Sequence, residues 1–135
     1  MSSEAARRDI EKRFTSNWAT TVIAYDNVKF NKPEPDVSWC RLRIEETNVD
    51  RTNVGLPGKH RTYGDIIIEI YTPIGTGTRI SKQYSDTIAE IFRDVQFSGI
   101  TCREATPITV GEASGWWQVN LFIPFFYTAT FSPSI

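Results

Sequence analysis

An α+β fold, a mainly antiparallel sheet with two helices packed on one face, is what this sequence predicts, and three observations predict it. The first is the run Ile66, Ile67, Ile68 and Ile70, a β-branched strand whose residues 66, 68 and 70 share one face and need a core. The second is a pair of helical stripes: Ala6, Ile10, Phe14 and Trp18 step by four, and Ile80, Tyr84, Ile88, Ile91 and Phe92 repeat the spacing later. The third is the closing stretch, where Trp117, Val119, Leu121, Ile123 and Phe125 alternate with Trp116, Gln118, Asn120, Phe122, Pro124 and Phe126. Helices bracketing strands in the order α-β-β-β-α-β-β give the fold class.

Taken in order, Ser2 or Ser3 caps the first helix and Glu4 suits its dipole. Arg7, Arg8, Asp9, Glu11, Lys12 and Arg13 cover the rest, a solvated face in which acids interrupt the bases. Val22, Ile23 and Tyr25 mark a short strand, and residues 27–36, rich in Asn, Lys and Pro, mark a loop. Residues 39–46 alternate, with Cys40, Leu42 and Ile44 facing one way and Trp39, Arg41, Arg43 and Glu45 the other. Residues 47–62 hold Gly55, Pro57 and Gly58 and few apolar side chains, so they read as a long loop. A loop of that length is a candidate binding arm, and it carries Arg51, Lys59, His60 and Arg61.

Residues 63–73 form the isoleucine strand, which Pro73 ends. Gly75 and Gly77 turn the chain, and Thr78 is placed to cap the second helix. Ser98 and Gly99 turn it again into a strand from Ile100 to Arg103, and residues 107–114 read as a connection. Pro124 puts the last strand at an edge or end of the sheet, where its outer aromatics Trp116, Phe122 and Phe126 need a cover such as another subunit.

At 135 residues the chain predicts a single domain, 1–135, able to hide roughly 68% of the surface its unfolded form exposes. Fifteen basic and sixteen acidic residues leave a net charge of -1, so no general attraction to nucleic acid or anionic membrane arises. Cys40 and Cys102 fall on apolar strand phases and read as buried thiols. Neither a signal-peptide core nor a run of about 20 apolar residues is present, which predicts a soluble protein made in the cytoplasm.

Catalytic, cofactor and metal readings find little support. Gly75-Thr76-Gly77 invites a dinucleotide reading, but Ile80 stands where the third glycine belongs, and Asp94 ends a helix instead of a strand. Gly58-Lys59 is followed by His60 where a phosphate loop needs Ser or Thr. Asp65 and Glu69, four residues apart on a strand, lie about 13 Å from each other, too far to share one glycosidic bond. They suit partners across the sheet such as Arg41 and Arg43. One His and two separated Cys make a poor ligand set.

An ordered set of short stretches resembles the tail terminator proteins of long-tailed bacteriophages, in the branch known as a phage domain of unknown function. The stretches are Trp18, Ile23-Ala24-Tyr25-Asp26-Asn27-Val28-Lys29-Phe30, Trp39, and Arg61 through Pro73 with Gly75-Thr76-Gly77. Ile91-Phe92-Arg93 and Trp116-Trp117-Gln118-Val119-Asn120-Leu121-Phe122-Ile123-Pro124-Phe125 complete the set, which spans nearly the whole chain. The resemblance implies a structural virion protein that works by binding, with no turnover, no cofactor and no metal. It implies a hexameric ring at the head-proximal end of the tail tube. Such a ring contacts its own copies, the tail tube protein and a head-completion or connector protein, and genome DNA passes through its channel. Arg51, Lys59, His60, Arg61, Trp116, Phe122 and Phe126 are then the expected interface residues, the alternative for Trp116, Phe122 and Phe126 being that they meet the chain's own helices. Another ring of the head-tail junction or tube is the neighbouring reading. A small intracellular enzyme or ligand-binding domain, with its site between the sheet and residues 31–36, is the reading from a different class.

Overall fold

The computed structural model describes residues 1–55 and 57–131, with the side chains of Thr130 and Phe131 excepted. Helix α1 (Ser3–Asn17) begins where the Ser2 hydroxyl accepts the Ala5 N–H at 3.1 Å, and it buries Ala6, Ile10 and Phe14. Trp18 closes it and meets Tyr84 edge-on at 5.3 Å. Strands β1 (Val22–Tyr25), β2 (Trp39–Arg51) and β3 (Gly58–Pro73) follow, then α2 (Arg79–Phe92). Past α2 the chain makes β4 (Gln96–Phe97), β5 (Ile100–Cys102), β6 (Thr106–Ala113) and β7 (Trp116–Phe131).

The described strands make one seven-stranded sheet in the order β1-β2-β3-β7-β5-β4, with β6 beside the first half of β7. Every pairing is antiparallel except β1 with β2. Both helices lie on one face, where Ile10, Phe14, Ile88 and Phe92 meet Leu42, Ile66, Ile68, Ile70, Leu121, Ile123 and Phe125. The isoleucine strand is thus central, as its two-sided apolar run requires. Gly64 extends that core face at the one point where backbone crowds it: a Cβ there would collide with the Glu45 carbonyl oxygen and come within 2.8 Å of the Phe125 ring. Cys40 and Cys102 are free, buried thiols, both pushed up to about 12 by burial first of all.

Four sequence expectations need correction. Residues 47–62 are not a long loop: β2 and β3 continue through them as a hairpin whose connection is only residues 52–57, and Leu56 lies outside the described residues. The pattern hid this because both faces of β2 beyond Ile44 are exposed, so no alternation marks the strand. Residues 107–114 are β6 for most of their length; Ser114 and Gly115, at φ 51° and 86°, form the tight turn that folds it onto β7. Its residues are mostly exposed, so ladder hydrogen bonds hold it where burial does not. Strand β7 is internal, not an edge. Pro124 is tolerated because it falls in the gap between the β6 pairing, which ends at Phe122, and the β5 pairing, which starts at Phe125. Thr78 stands at the N-cap of α2 but its side chain makes no cap bond, because its near-helical backbone (ψ -3°) departs from the extended form that aims a capping hydroxyl.

Candidate protein interface

The face of the sheet away from the helices is built from the odd-numbered residues of β3 and the even-numbered ones of β7. Register sets them in rows. Trp39, Tyr71 and Gln118 form one row, Arg41, Glu69 and Asn120 the next, then Arg43, Ile67 and Phe122, then Glu45, Asp65 and Pro124. Asn48, Tyr63 and Phe126 make a fifth. One end is aromatic: Trp39 stacks between Phe30 (5.1 Å) and Tyr71 (4.1 Å) and meets Trp116 edge-on at 6.0 Å. Trp116, an expected interface residue, is therefore largely buried within its own chain, at 5% exposure.

The middle is an ionic belt. Glu69 is 7% exposed, yet its carboxylate accepts from Arg43 at 3.0 Å and from the Tyr71 hydroxyl at 2.8 Å, so the buried acid is satisfied. Burial and then the bond to Glu69 push the Tyr71 phenol well above its ordinary range. Arg43 also pairs with Glu45, and its guanidinium is held above its usual value, mainly by Glu69. Of the cross-sheet partners expected for Asp65 and Glu69, Arg43 meets Glu69, whereas Asp65 stands opposite Glu45.

At the far end Phe126 is half-buried with Tyr63 beside it at 6.0 Å, and Arg61 lies over its ring at 4.6 Å. Arg103 covers the same ring at 5.3 Å. Phe122, also half-buried, lies between the aromatic end and this group.

The expected interface residues thus divide. Arg61, Phe122 and Phe126, with Trp116 and the exposed Lys59, share the helix-free face; Arg51 and His60 pair across the hairpin on the other face. Arg51 braces the turn by donating to the carbonyl oxygens of Asn53 and Gly55, each at 2.6 Å. His60 lines a cleft of about 410 Å³ with Met1, Val49, Thr62, Tyr127 and Ala129. Sequence reasoning missed Arg103, whose place over Phe126 depends on β5 aligning Cys102 with Phe125. No local signal carries that register.

Among the described residues no group of three or more His, Cys, Asp or Glu side chains could hold a metal ion, and no helix is long and apolar enough to cross a membrane. A cleft of about 400 Å³ between α2 and β6–β7 is lined by Ser81, Lys82, Ser85, Asp86, Thr109 and Trp117. Phe30 fastens its loop onto the sheet at the aromatic end by stacking on Trp39.

No curated protein matches this chain. A solved structure is similar over 99% of both chains, with a TM-score of 0.64 and 19% identity, a likeness of fold. A family model described as phage tail terminator protein matches residues 6–125, and the chain therefore belongs to that family.

Proposed function

We propose that this protein is a structural subunit that closes into a hexameric ring on the head-proximal end of the phage tail tube, ends tube growth there, and offers a docking surface to head-completion proteins. The family match over residues 6–125 carries the reading. The helix-free face supports it: half-buried Phe122 and Phe126 and the cations beside them form a broad surface of mixed character, suited to binding another protein. The protein acts by binding, without turnover, cofactor or metal; its partners are its own copies, the tube protein below and a connector above. It resides in the virion, is assembled in the bacterial cytoplasm, and lets genome DNA pass through the channel.

The test is the distribution of tail lengths, by electron microscopy, in a lysate of phage lacking the gene. Overlong headless tubes are expected. Tails of normal length without heads would move the protein to a connector ring, and normal virions would overturn the structural reading.

A further inference from the structure

The base of the sheet ends in two unpaired edges. There the strands run β1-β2-β3-β7-β6, and among the described residues no strand pairs with the outer side of β1 or of β6. Such an edge leaves backbone N–H and C=O groups free to pair with another chain, and proteins commonly guard it with charge. Here neither strand holds a lysine or arginine, and Glu112 is the one charged residue between them. Apolar side chains stand there instead: Val22 on β1 is 52% exposed, and Ile108 and Val110 on β6 are 51% and 49% exposed. Pro107 lacks one donor, which an edge strand tolerates. The irregularity between Thr109 and Gly111 limits the first regular run of β6 to residues 106–109, as long as the four residues of β1.

The two edges complement each other in direction and in height. Strand β1 runs the same way as β2 and β7, and β6 runs the opposite way, so β6 laid beside β1 of a second, like-oriented copy makes an antiparallel pair. Val22 shares a row with Gly111 through Trp39, Tyr71 and Gln118, and Ala24 shares one with Ile108 through Arg41, Glu69 and Asn120. Val22 and Ile108 therefore project from the same helix-free face and meet diagonally across such a seam. Because the edges lie on opposite sides of the sheet, the contact is head to tail. With the rows level, successive copies stand side by side without climbing, as closure into a ring requires.

We propose that β6 of one copy pairs antiparallel with β1 of the next, continuing the sheet from subunit to subunit and covering Val22, Ile108 and Val110. A second copy is the occupant because the chain itself carries both halves of the pair, matched in length, direction and height. Phe122, opposite Thr106, stands one strand in from the seam. The inference rests on the ring reading above and names the surfaces that meet in it.

Cross-linking tests it on rings assembled on tail tubes. Val22→Cys mixed with Ile108→Cys and treated with a short bis-maleimide gives linked pairs, and a chain carrying both changes gives a ladder that ends in a closed covalent ring. Either variant alone links no more than wild type, whose Cys40 and Cys102 are buried. Val22→Lys and Ile108→Lys each lower the yield of rings about tenfold or more, by placing a charge in the seam. Thermal melts read whether the variants stay folded, and should a change at Ile108 unfold the chain, Val110→Cys and Val110→Lys take its place with the same expectation. Wild-type rings with no link between the two edges, or lysine variants that assemble equally well, overturn the pairing and leave the ring reading standing. Linkage of Ile108→Cys to its own kind makes a two-fold pair and overturns it, and linkage to the tube protein assigns the edge to the tube and overturns it too. Wild-type protein that never forms rings on tubes removes the ring reading and this contact with it.

Discussion

The two faces of the sheet are cut from the same strands and behave differently. On the helix side Ile66, Ile68, Ile70, Leu121 and Ile123 are fully buried under a second layer. One residue along, Ile67 and Glu69 are nearly as buried with no helix above them, covered by neighbours in the same face such as Phe122, Arg43 and Tyr71. The first kind of burial comes from a layer and supplies stability. The second comes from long side chains lying over one another, and it leaves those side chains half-exposed and ready for another surface.

The largest effect should come from breaking the layered face. Ile68→Ala removes a fully buried side chain beneath both helices and is expected to cost about 3–5 kcal/mol in urea unfolding. Gly64→Ala follows at about 1–3 kcal/mol, since one group that its methyl strikes is a backbone carbonyl, which cannot swing aside. If it instead matched wild type, the close approach of β2, β3 and Phe125 at that point would be wrong.

A pH dependence sharpens the same contrast. Cys40 and Cys102 both ionise near 12 when folded, above the unfolded value of about 8.5. Their contribution is therefore present in full below the unfolded value and is lost as pH rises through it toward 12. The urea midpoint of wild type should fall between about pH 8.5 and 10 more steeply than that of Cys40→Ala with Cys102→Ala. Parallel slopes would place the thiols in contact with solvent.

The smallest effect on stability belongs to the helix-free face. Phe122→Asp is expected to stay folded, within about 1 kcal/mol of wild type, while losing the ability to form rings. Unfolding by this single change would assign Phe122 to the core and erase the distinction between the faces.

Most of the helix-side face was legible in the sequence because burial leaves a period. Steps of four in α1 and alternation in β3 and β7 named Ile10, Phe14, Ile66, Ile68, Leu121 and Ile123 directly. What could not be read has a common cause. Residues 45–51 of β2 and most of β6 are exposed on both sides, so their strand character lies in ladder hydrogen bonds that depend on partners far along the chain. The candidate interface shares that dependence. Arg61, Phe122 and Phe126 could be picked out as unusual residues, but the union of Arg61 with Phe126 and Arg103 follows from two strand registers, β3 with β7 and β5 with β7. Ser114-Gly115 was the one local signal that would have revealed β6 as half of a hairpin.

Strands β3 and β7 stay paired without a break from the buried layer to the end of the hairpin, Pro73 with Trp116 at one limit and Gly58 with Phe131 at the other. Of the three strands at the base of that projection only β2 is interrupted, by the bulge between Glu46 and Asn48. Just before the bulge, Glu46 is gripped by Ser3 at 2.6 Å and by the Tyr127 hydroxyl at 3.0 Å. Mechanically this is a cantilever with a crease on one side and no hinge through its thickness. A push on residues 52–57 is carried down two unbroken beams into the strands that hold the core. Whatever presses on the tip strains the body of the subunit with it.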